Sequence, residues 1–261
     1  MNVRKTKPPF LLALALLLPL GCNSDPVDLV EDLPDAEMRV LFIGNSLTYT
    51  NNLPDIVQTI AEAAGHTLAQ GMVALPGVSL EDHWRSGVES TILSSKADVV
   101  VMQQGPSSLP ENQVYLREWT EKLAPAIREA GGEPALYMVW PESARPFAFD
   151  AVYESYLGAA EAVNGLLMPA GQAWIHVWGQ DPELQLYGPD GFHPSQLGSA
   201  VAALTIYRVL FNEDVSHLPS RMVPSSPGLP TLDLGEYADL VFLAVEAAVA
   251  SSATGGTGVV H

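Results

Sequence analysis

At 261 residues the chain is long enough for one sizeable α/β domain and short for two. A hydrophobic share of 48% excludes a disordered polymer, and a formal charge of −18 excludes a phosphate-tracking surface, so nucleic acid is not an expected partner. The single cysteine, Cys22, rules out an intrachain disulfide and a thiolate metal site.

Residues 1–21 read as a signal peptide. Arg4, Lys5 and Lys7 precede an apolar stretch, Phe10 to Leu20, that is too short for an ordinary membrane-spanning helix. It runs into Leu18-Pro19-Leu20-Gly21-Cys22, which resembles a bacterial lipoprotein signal, although Pro19 stands where that pattern has an aliphatic residue. The resemblance implies lipidation of Cys22 as the mature N-terminus, with membrane contact only through that anchor. The expected location is then the periplasm or the cell surface. Cleavage by the general signal peptidase, leaving Cys22 incidental and the protein periplasmic or secreted, is the alternative. Residues 22–37, acidic and with two prolines, read as a solvated tether.

A domain is expected over 38–250. Its first strand, at about 39–44, is apolar and ends in Gly44-Asn45-Ser46, residue types suited to a tight turn. Asn51-Asn52-Leu53-Pro54 supplies a cap and an early proline for a helix that Gly65 stops. A second strand at 67–75 leads to Leu75-Pro76-Gly77, and Ser79-Leu80-Glu81-Asp82 starts a helix to about Leu93. Ala97 to Met102 reads as a buried strand, followed by helix 111–130 and strand 134–140. A helix near 150–164 and a short strand, Leu166 to Met168, come next. The Trp-rich stretch after it shows no clear period. Ser195 caps a helix to about Leu210, 233–250 form a final helix, and the tail from 251 reads as frayed. Strands alternating with helices imply an α/β fold of three layers, α/β/α, with a mostly parallel sheet of about five strands.

Ser46 ends the first strand, where open α/β sheets place their chemistry. Asp190-Gly191-Phe192-His193-Pro194 lets one short turn present both an aspartate and a histidine. Such an aspartate can fix the imidazole tautomer and leave the other ring nitrogen free for a serine. A serine nucleophile also needs oxyanion donors. Gly77 follows the second strand and can bring its backbone N–H close to a substrate oxygen. Gln103 and Gln104 follow the third strand, where a carboxamide can point into the same space; strand alternation sends adjacent side chains to opposite faces, so one of the two is expected to face the site.

Gly44-Asn45-Ser46, Gly77 and Asp190-x-x-His193-Pro194 resemble blocks I, II and V of the SGNH (GDSL-like) hydrolases over roughly residues 38–212. The resemblance implies a flavodoxin-like fold and serine esterase activity without a cofactor. Ser46 would be the nucleophile, His193 the base and Asp190 its orienter, with the N–H groups of Ser46 and Gly77 in the oxyanion hole. Asn45 stands where the commonest form has aspartate. The third block, normally Gly-x-Asn-Asp, reads Gln103-Gln104-Gly105-Pro106-Ser107-Ser108 here and is more similar to the Gln-Gly-Glu-Ser segment of the family's carbohydrate acetylesterases. That similarity carries the third oxyanion donor to Gln104, with Gln103 second.

The implied function is an exported esterase that removes small acyl groups, acetyl first, from a carbohydrate or glycan. A lipase, lysophospholipase or thioesterase of the same fold, and a non-catalytic carbohydrate-binding relative, remain as alternatives. His66, His83, His176 and His217 read as surface or helix-packing residues. Glu142 and Arg145 read as a surface pair or pocket lining, and Trp140, Trp174 and Trp178 as core or as a sugar-stacking face. No metal-ligand cluster, P-loop or Gly-x-Ser-x-Gly elbow is present in the sequence.

Overall fold

The computed structural model describes residues 32–253. The expected signal peptide, Cys22, most of the tether and residues 254–261 of the tail lie outside the described residues.

Five parallel strands form the central sheet: β1 (Met38–Gly44), β2 (Leu68–Ala74), β3 (Val99–Met102), β4 (Glu133–Tyr137) and β5 (Leu166–Met168), in the order β2-β1-β3-β4-β5. Val40 of β1 pairs with Gln70 on one side and Val99 on the other, which sets the register at the centre. Between them run α1 (Ser46–Tyr49), α2 (Leu53–Ala64), α3 (Leu80–Arg85), α4 (Val88–Ser95), α5 (Pro110–Glu129) and α6 (Phe149–Ala162). After β5 come α7 (Ala170–Gln180), α8 (Gln196–Phe211), the short antiparallel pair β6 (Arg221–Met222) and β7 (Leu232–Asp233), and α9 (Ala238–Ala253).

The chain leaves β1 toward β2 on one side of the sheet and returns past it to β3 on the other. Right-handed crossovers therefore put α2 on one face and α3 to α6 on the opposite face. Helices α7, α8 and α9 join α2, so α8 is covered by helices as well as by the sheet. That explains why α8 is buried almost all round, from Gly198 to Tyr207. Its three hydroxyls are satisfied, Ser199 by Asn51, Thr205 by the carbonyl of Val201 and Tyr207 by Glu213.

Local signals place most elements within a residue or two. Ser79 and Asp82 form the expected capping box, and Ser195 caps α8 by accepting from Gly198 N–H. The final helix, expected over 233–250, runs from Ala238 to Ala253 because Leu232–Asp233 is taken into β7, and three further expectations change. The helix expected from 79 to 93 breaks into α3 and α4 at Gly87, whose φ of +83° no continuous helix accommodates. The strand expected to 140 leaves the ladder after Tyr137, because β5 ends opposite it at Met168. The unassigned Trp-rich stretch is α7, and its Trp174 lies fully buried against Trp140 at 3.6 Å between ring centroids. Trp140 and Trp174 are thus core residues with no face for a sugar. The ring of Trp178 packs edge-on to Trp174, and its indole N–H donates to the Leu184 carbonyl.

Candidate active site

The sheet reverses its winding between β1 and β3, and the crevice beyond the carboxyl ends of those two strands is where such sheets bind ligands. Ser46 projects from the end of β1. Gly44 must be glycine there, since a Cβ would stand 2.2 Å from Thr48 Oγ1 and 2.6 Å from Gln103 Oε1. Asn45, in extended conformation, caps α1 by accepting from Leu47 N–H at 3.1 Å. Ser46 then occupies the first helical position, where the backbone N–H has no intrahelical acceptor and remains available to an anion.

The turn is held from three directions, and Asn51 ties the segment after it to another loop. Gln103 Oε1 accepts from Asn45 N–H at 3.0 Å and from the Thr48 hydroxyl at 2.8 Å. Asn45 Nδ2 donates to the Val78 carbonyl at 3.2 Å, joining the turn to the loop after β2. His83 Nε2 donates to the Gly44 carbonyl at 2.7 Å; it is buried, and burial holds the imidazole below its ordinary pKa, in the neutral form. Asn51, left-handed at φ 58°, does not cap α2. Its Nδ2 instead donates to the carbonyls of Pro194 and Ser195 and to Ser199 Oγ, at 3.1, 3.1 and 2.9 Å.

Those last contacts bring in the loop before α8. The bridge between Tyr187 and Pro194 and the bond from Gly188 N–H to the His193 carbonyl close that loop. Trp140 Nε1–H donates to the Phe192 carbonyl at 3.0 Å, the Tyr187 hydroxyl to the Pro141 carbonyl at 2.6 Å, and Ser143 N–H to the Gly191 carbonyl at 2.8 Å. The extension of β4 is therefore the loop's fixed support.

In this frame His193 Nε2 lies 2.8 Å from Ser46 Oγ, and His193 Nδ1 lies 2.5 Å from Asp190 Oδ2. Asp190 Oδ1 accepts from the N–H groups of Phe192 and His193, both at 3.0 Å. The bond from His193, aided by those two, holds the Asp190 carboxyl down to about 2, so at neutral pH it is an acceptor only. Nδ1 then carries the hydrogen, and Nε2 is left to accept from the Ser46 hydroxyl. The arrangement can take a proton from Ser46 and stabilise the resulting imidazolium.

Sequence reasoning named Ser46, Asp190 and His193, and the fold brings all three together. Gly77, exposed with φ +69°, ends the loop turn after β2, and an added Cβ would meet nothing within 4 Å. Gln103 and Gln104 are both buried, so neither is a solvent-facing glutamine. Gln103 meets the nucleophile turn through its carboxamide oxygen, while its Nε2 donates to the Gln104 carbonyl. Gln104 Oε1 accepts from Leu80 N–H at 3.2 Å, next to the Gly77 loop, and its Nε2 gives one hydrogen to Ser107 Oγ at 3.0 Å. A backbone donor at Oε1 settles which end of that amide is nitrogen. Tyr156 supports the same segment by donating to the Gln104 carbonyl at 2.6 Å.

Sequence reading missed several residues of this frame, His83 and Asn51 among them. His83 follows Leu80 by three positions on the inward face of α3, a spacing that signals burial but not the Gly44 partner. Asn51 carried a conformational hint in the Asn-Asn pair, since asparagine tolerates the left-handed region.

No family model matches the chain, and no curated protein matches it. Solved structures do. A DUF4886 family protein from Bacteroides uniformis superposes with a TM-score of 0.67 at 18% identity, over 82% of this chain and 95% of that one. A protein from Slackia heliotrinireducens described as an SGNH hydrolase gives 0.55 at 26% identity, over 67% and 99%. A protein from Parabacteroides merdae described as a GDSL-like lipase gives 0.54 at 14% identity, over 70% and 100%. In class, the chain is an α/β/α protein with an all-parallel five-stranded sheet and a Ser–His–Asp constellation at its switch point. Its fold is that of the SGNH (GDSL-like) hydrolases.

Proposed function

We propose that the chain is an exported serine ester hydrolase that removes a small acyl group, acetyl first, from a carbohydrate. The observation that carries this reading is the continuous hydrogen-bonded line from Ser46 Oγ through His193 to Asp190. Ser46 attacks the ester carbonyl as its proton passes to His193 Nε2, and Asp190 stabilises the imidazolium. The oxyanion is held by the N–H groups of Ser46 and Gly77 and by the second Nε2 hydrogen of Gln104. Collapse expels the alcohol, which takes the proton from His193, and water then releases the acyl group by the reverse path.

Two features favour a polar, bulky alcohol over a long acyl chain. The His193 and Asp190 side chains are 36% and 52% exposed, so the triad opens to solvent. Amide side chains dominate the segments around Ser46: Asn45 beside it, Gln103 against its turn, and Asn51 and Gln104 on the adjoining loops. The similarity of Gln104-Gly105 to the corresponding carbohydrate acetylesterase segment points the same way.

A serine-directed phosphonate should label the wild-type protein at Ser46 and not Ser46→Ala, which should also lose ester hydrolysis by about 10³-fold or more. Across esters of rising chain length, acetyl should be hydrolysed best; a maximum at long chains would replace the carbohydrate reading with a lipase or thioesterase. Export by lipidation of Cys22 belongs to the same proposal. The wild-type chain should partition into detergent and Cys22→Ala should not.

A further inference from the structure

We propose that Phe147 and Arg145, on the loop after β4, form a subsite for the neutral sugar ring of the leaving alcohol. The inference rests on the carbohydrate reading above and adds where the sugar is held.

The loop from Pro141 to Ala148 adjoins the triad. Ser143 N–H donates to the carbonyl of Gly191, which lies between Asp190 and His193, and a Cβ on Gly191 would meet Ser143 Oγ at 2.4 Å. Past Ser143 the chain makes a tight 3₁₀ turn, Pro146–Ala148. Ala148 N–H bonds to the Arg145 carbonyl at 3.0 Å, and Ala148 and Phe149 are buried beneath. Phe147, between these anchors, is 79% exposed, far more than any other phenylalanine described. A ring that stands out from a loop anchored on both sides presents an aromatic face to a ligand.

Arg145 supplies the polar half. Its Nη2 donates to Ser108 Oγ at 3.2 Å, which joins this loop to the one after β3, where Gln104 lies. Its carboxylate neighbour, Glu142, is 3.7 Å away, beyond a hydrogen bond. A guanidinium has five N–H donors, so most of Arg145's remain for a ligand. Its guanidinium carbon lies over one face of the Phe147 ring, 5.9 Å from the centre, so a molecule stacked on the open face of this 79% exposed ring can also reach the guanidinium at its rim. An open aromatic face backed by a guanidinium matches a pyranose, whose C–H face stacks on an aromatic ring while its hydroxyls accept from nitrogen. A plain acyl chain would use the ring and leave the guanidinium unpaired. The strongly negative chain favours a neutral sugar over an acidic one.

The test compares wild type and Phe147→Ala on glucose pentaacetate, a neutral acetylated sugar, and on ethyl acetate, which has no ring to stack. The exposed ring contributes little to the fold, so Phe147→Ala should remain folded. KM for glucose pentaacetate should rise about three- to tenfold with kcat within twofold, as loss of one stacking contact implies. Ethyl acetate hydrolysis should not change, and Phe147→Trp should restore the sugar KM. Unchanged KM for the sugar, or an equal loss on both substrates, overturns the subsite. A loss confined to p-nitrophenyl palmitate also overturns it and gives the ring to an acyl chain. Wild-type protein that turns over ethyl acetate but not glucose pentaacetate would overturn the carbohydrate reading itself, and the subsite with it.

Discussion

Beneath the turn that carries Ser46, His83 Nε2 lies 2.7 Å from the carbonyl oxygen of Gly44. A carbonyl cannot donate, so this ring nitrogen carries the hydrogen, and burial keeps the imidazole neutral. His83 thus fixes the last residue of β1 and, through it, the direction in which Ser46 leaves the sheet. His83→Leu would leave the Gly44 carbonyl unpaired in a buried place and should lower kcat by up to about tenfold, the scale of one net hydrogen bond, with KM little changed. His83→Gln, whose amide nitrogen reaches a similar point, should recover part of that loss. Steady-state kinetics of the two variants decide it, and equal losses in both would remove the hydrogen bond from the explanation.

Gln103 and Gln104 should fail in different ways. With Gln104 as the proposed oxyanion donor, Gln104→Ala should lower kcat by roughly 10²- to 10³-fold, or about 2.7–4 kcal/mol, with KM near wild type, and it should also cost some stability because the buried Leu80 N–H loses its acceptor. Gln103→Ala strips the acceptor from Asn45 N–H and Thr48, so it should lower stability by about 1–3 kcal/mol along with activity. From strand alternation alone the Gln103 exchange would be expected to be the milder one. Its buried bonds to the nucleophile turn add a loss of stability that alternation does not foresee. The size of the kcat loss, with urea denaturation as the control for folding, separates the two residues.

Asn45 stands where the commonest form of the first motif has aspartate, and the fold supplies a reason. Its Nδ2 donates to the Val78 carbonyl while its Oδ1 accepts from Leu47 N–H. A carboxylate keeps the cap but turns an acceptor toward the Val78 carbonyl. Asn45→Asp should therefore cost about 1–3 kcal/mol of stability. It should also loosen the Gly77 loop, read as slower phosphonate labelling of Ser46. A variant as stable and as reactive as wild type would show that the Val78 contact contributes nothing.

At the opposite end of β2, His66 bridges Glu37 and Glu213 at 2.9 and 3.1 Å and stacks on Phe211. The bond to Glu213, then that to Glu37, raises its pKa above the ordinary imidazole value. A raised folded pKa means the folded state holds the proton more tightly than the unfolded chain. The stabilisation is therefore complete below about pH 6.5, the unfolded value, and is lost as pH rises through the folded pKa. The stability difference between wild type and His66→Phe, from denaturation at a series of pH values, should shrink across that rise. A difference independent of pH would leave stacking on Phe211 as the only contribution of the ring.

What the sequence determines by itself here is local. The apolar run before Gly44 makes β1, and Ser79 and Ser195 start α3 and α8 because a cap needs only the next three residues. Asp190 and His193 are three positions apart, so one turn suffices to pair them. The meeting of Ser46 with His193, 147 residues apart, is decided by the sheet order, which folds the end of β1 against the loop before α8. Which end of the Gln103 carboxamide faces the nucleophile turn depends on backbone donors supplied by another strand's loop. The helix through Trp174 is hard to see in the sequence because Ile175 and Trp178, apolar and only partly buried, flank the buried stripe of Ala170, Ala173, Trp174 and Val177 and blur its polar side. His83 and Phe147 could not be told apart by hydropathy: the polar side chain is buried under Gly44 and the apolar one stands in solvent, because the packing of α3 and the tight turn after Arg145 place them so.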